Sequence, residues 1–195
     1  MGICFFLLSI SVRAEALEPF ATWENVLFEQ ETQYTISGNQ VVATSHQAAS
    51  GLVLKRRIDV SDTPRLTWSW KIVSPLPSLK TDEQSKAGDD FSARLYVIKN
   101  GFFPWQTKAI NYVWSNQYPI DSYWPNPYTT NAMMVVVGQS NEPTKQWHTY
   151  IRDVKKDFKT YFDIEVDTID AIAIMTDTDN TKSRAEAIYS LPSFQ

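Results

Sequence analysis

The sequence predicts an all-β fold: a two-sheet antiparallel β-sandwich of jelly-roll type with one short helix. Three observations lead there. Short apolar runs recur along the chain, separated by Pro, Gly, Asn and Asp, the spacing of an all-β domain. Leu66, Trp68, Trp70 and Ile72 alternate with Thr67, Ser69 and Lys71, the period-two pattern of a half-buried strand. Two acidic loops stand at strand ends in mirrored order. Asp89 and Asp90 precede an apolar run, whereas Asp177, Asp179 and Asn180 follow the run that starts at Ile172. Loops so arranged place a polar site at one rim of a sandwich.

The elements follow in order. Strands are expected at 23–28, 34–36, 40–44, 51–60, 65–73, 91–98, 109–115, 132–137, 147–152, 171–175 and 185–189. The unbroken run Met133, Met134, Val135, Val136, Val137 reads as a central strand covered on both faces. Pro64, Pro75 and Pro77 bracket one strand, and Pro119, Pro125 and Pro127 mark one long aromatic loop. Val154, Phe158, Tyr161 and Phe162 fall at helical spacing behind Asp153, a candidate N-cap. No repeat, low-complexity tract or linker interrupts the chain, so 15–195 reads as a single domain. Its 195 residues are enough for a sizeable core.

Residues 1–14 read as an export signal. Ile3 to Val12 form an apolar run too short to span a bilayer. Small or branched Val12 and Ala14 place cleavage after Ala14, although no Lys or Arg precedes the run. A periplasmic or secreted protein is expected. Cys4 is the one cysteine and lies inside this segment. The mature chain would therefore have no thiol nucleophile, thiolate metal site or disulfide. The formal net charge of −4 argues against nucleic acid, since phosphate binding needs a basic face. No stretch has the length of a transmembrane helix.

Four segments occur in a fixed order: Gly88-Asp89-Asp90-Phe91-Ser92-Ala93-Arg94, Ile110-Asn111-Tyr112-Val113-Trp114-Ser115, Trp124-Pro125-Asn126-Pro127-Tyr128, and Ile174-Met175-Thr176-Asp177-Thr178-Asp179-Asn180-Thr181. Together they resemble the bacterial family known as domain of unknown function 3047, over roughly Trp23 to Phe194. The resemblance implies an exported protein without an assigned activity. The fold it implies is like the galactose-binding-like jelly rolls of carbohydrate-binding modules. It also implies a Gly after Asn180-Thr181 and a Gly-Asp pair before the last strand, where this chain has Lys182 and Ser190-Leu191.

The seven Trp, nine Tyr and ten Phe suit either a sandwich core or a ligand-stacking surface. Arg94 falls mid-strand on the expected face of Asp90, Ser92 and Tyr96, opposite Phe91. A buried arginine needs an anionic partner, and Asp177 or Asp90 can supply it. Such a pair can either orient sugar hydroxyls in a groove or form a covered structural bridge. Trp114, Tyr118, Tyr123, Trp124 and Tyr128 are candidates to stack on sugar rings or to pack over the sandwich edge. Trp68, Trp70 and Trp147 are assigned to the core. Asp177, Asp179 and Asn180 offer hard oxygens for calcium, or else cap turns. The run Glu165, Asp167 and Asp170 resembles a glycosidase strand motif, but it falls where a connecting turn is expected. His46 and His148 lack the motifs of a triad or zinc centre.

The reading reached is a non-catalytic module that binds a glycan or cell-envelope ligand through Asp90, Arg94, Asn111, Trp114, Trp124, Tyr128 and Asp177. Asn111 and Trp114 have opposite strand parity, so both reach one groove only across a bulge. Calcium at Asp177, Asp179 and Asn180 is the one cofactor considered. A glycan hydrolase and a module that docks a protein partner are the alternatives.

Overall fold

The computed structural model describes residues 15–78 and 80–195, with side chains from Leu17 onward. The expected signal, its cleavage site and Cys4 lie outside the described residues. The strands are β1 (Glu15–Ala16), β2 (Glu24–Leu27), β3 (Gln33–Ser37), β4 (Gln40–His46), β5 (Ser50–Asp59), β6 (Arg65–Ser74) and β7 (Arg94–Lys99). They continue with β8 (Lys108–Ser115), β9 (Tyr123–Asn126), β10 (Thr129–Gln139), β11 (His148–Asp153), β12 (Thr168–Met175), β13 (Arg184–Ser190) and β14 (Ser193–Phe194). Among the described residues one α-helix, α1 (Val154–Phe162), lies between β11 and β12.

Two seven-stranded sheets face each other. The first runs β1-β14-β6-β13-β4-β3, with β11 also paired to β6, and the second runs β2-β5-β12-β7-β8-β10-β9. All pairings are antiparallel except β8 with β10, which is parallel. The expected all-β sandwich is the one observed, with this parallel pair as its departure from a purely antiparallel plan.

The core is built by alternation. Trp68, Trp70 and Ile72 of β6 meet Leu95 and Val97 of β7, Tyr112 and Trp114 of β8, and Ile172 and Ile174 of β12. Trp68 stacks on Tyr112 at 5.1 Å, and Trp70 donates to the Tyr150 hydroxyl at 3.2 Å. Along β10, Met133, Val135 and Val137 join this core. Met134 and Val136 point the other way, into a second cluster with Phe91, Val113 and Trp124. That is the double coverage expected of the unbroken run. Trp147, assigned to the core, is instead 40% exposed beneath Lys71, on the outward parity of exposed Thr149 and Ile151.

Helix α1 forms where its spacing predicts. The Asp153 carboxylate accepts from the Lys156 amide at 3.1 Å, and Asp163 closes the last turn in the left-handed region. Buried Asp157 accepts from the Tyr112 hydroxyl at 2.6 Å and from Arg152 Nε and Nη2 at 2.8 and 2.6 Å. The helix is thus tied to β8 and β11 at once. No helix among the described residues is long and apolar enough to cross a membrane.

Candidate functional site

The second sheet directs Arg94, Tyr96 and Ile98 of β7, and Ala171, Ala173 and Met175 of β12, away from the core. Along this outer face lies a cavity of about 500 Å³, lined by Phe28 and Glu29 just after β2, by Asp89, Arg94 and Tyr96, by Asn126, Tyr128, Thr129 and Ala132, and by Met175, Asp177, Asp179 and Asn180. Its volume falls within the roughly 300–1,000 Å³ of small-molecule sites.

Arg94 is 2% exposed, and every side of its guanidinium is engaged. Nε donates to Asp177 Oδ1 at 2.9 Å, and Nη2 meets Asp177 Oδ2 at 2.6 Å, a two-pronged fork. Nη1 donates to the Tyr96 hydroxyl at 3.1 Å. Nη2 also donates to the Asp89 carbonyl and lies 3.5 Å from Asp89 Oδ1. The Phe91 ring covers the guanidinium from 4.5 Å. Phe91 therefore sits beside Arg94, not opposite it. The strand begins at Arg94, and the Phe91 amide bonds Asp177 Oδ1 at 3.1 Å instead of a neighbouring strand. The anionic partners are Asp177 and Asp89; Asp90 is not one of them.

Asp90 ties the two acidic loops together. Its Oδ1 accepts from the Asn180 amide and side chain, both at 3.2 Å, and its Oδ2 accepts from the Thr181 amide at 2.6 Å. Asp89 Oδ2 accepts from Asn126 at 3.0 Å, while its buried Oδ1 has no hydrogen-bond donor. The Tyr128 hydroxyl lies 2.6 Å from Asn180 Oδ1. Lys86 covers one face of the Tyr128 ring from 5.2 Å, and the residue is 55% exposed. The mirrored acidic loops thus do meet at one rim.

Burial pushes the carboxyls of Asp177, Asp89 and Asp179 above their ordinary range; Asp90 adds to this in each case and Arg94 opposes it. Burial also works against the Arg94 charge, but Asp177 and Asp89 outweigh it. Burial pushes the Tyr96 hydroxyl up to about 12, so it stays a neutral partner of Arg94 at physiological pH.

Asp90, Asp177 and Asp179 each bring a carboxylate oxygen within 4.8 Å of the others. The oxygens of Asp90 already accept from the 180–181 loop, and those of Asp177 from Arg94 and Phe91. Asn180 directs its amide nitrogen at Asp90 and its oxygen at Tyr128. In this arrangement the carboxylates serve as acceptors within the fold, and the adjacent guanidinium supplies the positive charge a cation would bring.

Of the residues singled out from the sequence, Arg94, Tyr128, Asp177, Asp179 and Asn180 line the cavity. Asp90 lies behind it. Trp114 points into the core, 1% exposed, with its ring edge-on to His148 at 5.2 Å. Trp124, 5% exposed, packs on the outer face against Tyr118, at 5.0 Å, beside the cavity. Asn111 is fully buried, its amide 3.2 Å from Met134 Sδ. Parity separates it from Trp114, and the register shift opposite Trp114 adds its extra residue, Val137, to β10 and so does not reunite them. Residues 164–167 are an irregular connection, and of the motif only Asp170 lies in a strand, β12. Asp167 pairs with Lys155, and Asp170 with Lys99. Asn126, Phe28 and Glu29 were not singled out. Asn126 was detectable two residues before Tyr128; nothing in the sequence marked the end of β2.

A family model described as "Protein of unknown function (DUF3047)" matches residues 21–191. The chain belongs to this family. The DUF3047 match takes in both acidic loops and every residue that lines the cavity. No curated protein matches the sequence. Among solved structures, the xyloglucanase domain of NopAA, a type three effector from Sinorhizobium fredii solved with cellobiose, aligns with a TM-score of 0.48 at 9% identity, covering 89% of this chain and 92% of that one. A family 12 glycoside hydrolase aligns at 0.47 and 7% identity over 88% and 98%. A Trichoderma reesei endo-1,4-β-xylanase aligns at 0.44 and 10% identity over 86% and 96%.

Proposed function

We propose that this DUF3047 chain is a non-catalytic module that binds a neutral, hydroxyl-rich glycan in the cavity of its second sheet. The observation that carries this reading is the chemistry of the cavity wall. Asp89, Asp177, Asp179 and Glu29 stand against one arginine, Arg94, so an anionic ligand would be repelled. Asn126 and Asn180 add amide groups, and Tyr96, Tyr128 and Phe28 add ring faces. Hydroxyls that donate to carboxylates, with apolar ring faces set against tyrosine, are the complement of such a wall. The buried Arg94 fork fixes the wall in advance, which lowers the ordering cost of binding. The export signal expected at 1–14 supports a periplasmic or secreted setting for this activity.

Glycan hydrolysis is the second reading, favoured by one observation: three carboxyls with raised pKa border the cavity. Two of them, Asp89 and Asp177, are held by Arg94, and they stand at the same rim as Asp179. A hydrolase needs two carboxyls on opposite sides of the scissile bond.

Calorimetric titration with neutral soluble glucans and xylans, and with anionic polygalacturonate, tests the proposal. Neutral glycans should bind saturably and stay uncleaved. Asn126→Ala and Tyr128→Ala should each weaken binding on the order of tenfold, the effect of about 1.4 kcal/mol. Equal binding of polygalacturonate, or undiminished binding by both variants, would contradict the proposal. Release of reducing ends that is lost in Asp179→Asn would establish the hydrolase instead.

A further inference from the structure

The loop between β7 and β8 exposes three aromatic side chains: Phe102 at 91%, Trp105 at 68% and Phe103 at 43%. Rings on a slack loop would fold back against the protein. These are held out by a braced turn. The Phe103 amide donates to Gln106 Oε1 at 3.1 Å, and the Gln106 amide returns to the Phe103 carbonyl at 2.9 Å. Asn131 Nδ2 donates to the Trp105 carbonyl at 2.7 Å, and Lys108 holds Asn131 Oδ1 at 2.6 Å. Gly101 closes the turn so tightly that a Cβ there would meet Gln106 Cβ at 2.3 Å. The Phe103 and Trp105 rings lie parallel within 5°, 4.6 Å apart, and Phe102 stands at 90° to Phe103.

Sheet register joins this loop to the cavity. Arg94 pairs with Val113, and Ile98 with Ala109, which in turn pairs with Ala132. Arg94 and Ala132 both line the cavity. The cavity therefore covers the four steps from Arg94 to the Ile98 level, roughly 13 Å at about 3.3 Å per residue. One step further, Lys99 pairs with Lys108, the two residues between which the aromatic loop emerges. A single sugar ring is shorter than this span.

We infer that Phe102, Phe103 and Trp105 form a second, stacking subsite, and that the ligand is an extended glycan chain, not a single sugar. One end of the chain sits at the Arg94 rim, and a later ring rests on the aromatic platform. This inference rests on the glycan reading of the cavity. A braced set of rings gives a sugar face an apolar contact with little ordering cost. The hydrogen-bonding groups of the Arg94 rim, at the end of the cavity away from the loop, favour a glycan over a lipid or a protein.

The test is calorimetry of the wild type, the double variant Phe102→Ala/Trp105→Ala and Asp179→Asn against cello-, xylo- and chito-oligosaccharides from monosaccharide to hexasaccharide. Affinity in the wild type should rise with chain length. The double variant should bind short oligosaccharides as the wild type does, but lose on the order of tenfold at the longest. Asp179→Asn should weaken binding at every length. A double variant that equals the wild type at every length overturns the second subsite alone. No binding by the wild type at any length overturns it together with the glycan reading. Wild-type binding to phosphatidylcholine vesicles that the double variant lacks assigns the rings to a lipid surface and also overturns it.

Discussion

Arg94 is the residue on which the site turns. An unpaired arginine at 2% exposure would be very costly, so Asp177 and Asp89 are needed for the fold before they serve any ligand. Three carboxyls nevertheless hold raised pKa values, with burial as the first cause. A carboxyl whose folded pKa lies above its unfolded value binds protons that the unfolded chain releases. It therefore costs stability as pH rises from the ordinary carboxyl range through the folded value. Asp179, only partly buried, is the member that can be changed without breaking the Arg94 fork. The stability of Asp179→Asn relative to the wild type should increase as pH is raised from about 4, the ordinary aspartate range, toward about 7. Denaturant midpoints at successive pH values measure it, and a pH-independent difference would contradict the assigned direction. Lys182 is a second telling residue. Family resemblance implies a Gly there, and Lys182 holds φ 52°, in the left-handed region. Lys182→Gly should raise stability by up to about 1 kcal/mol, read as a higher unfolding midpoint.

At the scale of elements, the long alternating strands and α1 were legible because burial on one face imposes a period on the sequence. The exceptions have physical causes. Pro125 marks β9 as loop in the sequence, yet it is an edge strand paired only to β10, a place where proline is tolerated. β7 starts three residues later than expected, because a side chain, Asp177, takes the Phe91 amide. The parallel pairing of β8 with β10 leaves no trace in strand periodicity. Arg94 was legible as a mid-strand charge in need of an anion, Asp177 as an acid at a strand end, and Tyr128 as an aromatic in a proline-rich loop. Trp114 and Trp124 were not separable from them, because a tryptophan carries the same signal in a core as on a stacking surface. The Asp157 clamp of α1 gives an elemental prediction. Asp157→Ala leaves the Tyr112 hydroxyl without its acceptor and Arg152 with only exposed Asp121, at 3.5 Å, as anion, and should cost about 3–5 kcal/mol. A midpoint shift below about 1 kcal/mol, the size of a surface pair, would show that the clamp is not structural.

The whole molecule is a sandwich whose inner layer is spent on stability and whose outer second sheet stays open. Bulky inward residues such as Trp68 and Trp70 leave the outward positions of β12 free for small ones, Ala171 and Ala173. The fold thus makes a trough whose rim is fixed by the loop bonds of Asp90. Backbone amide shifts of the isotopically labelled protein, followed while a neutral xylan or glucan oligosaccharide is added, test the central claim most directly. Saturable shifts confined to 28–29, 89–96, 126–132 and 175–181, with the face of β6 and β13 silent, are the predicted result. Shifts centred on that other sheet, or none at saturating ligand, would contradict a glycan site in this cavity.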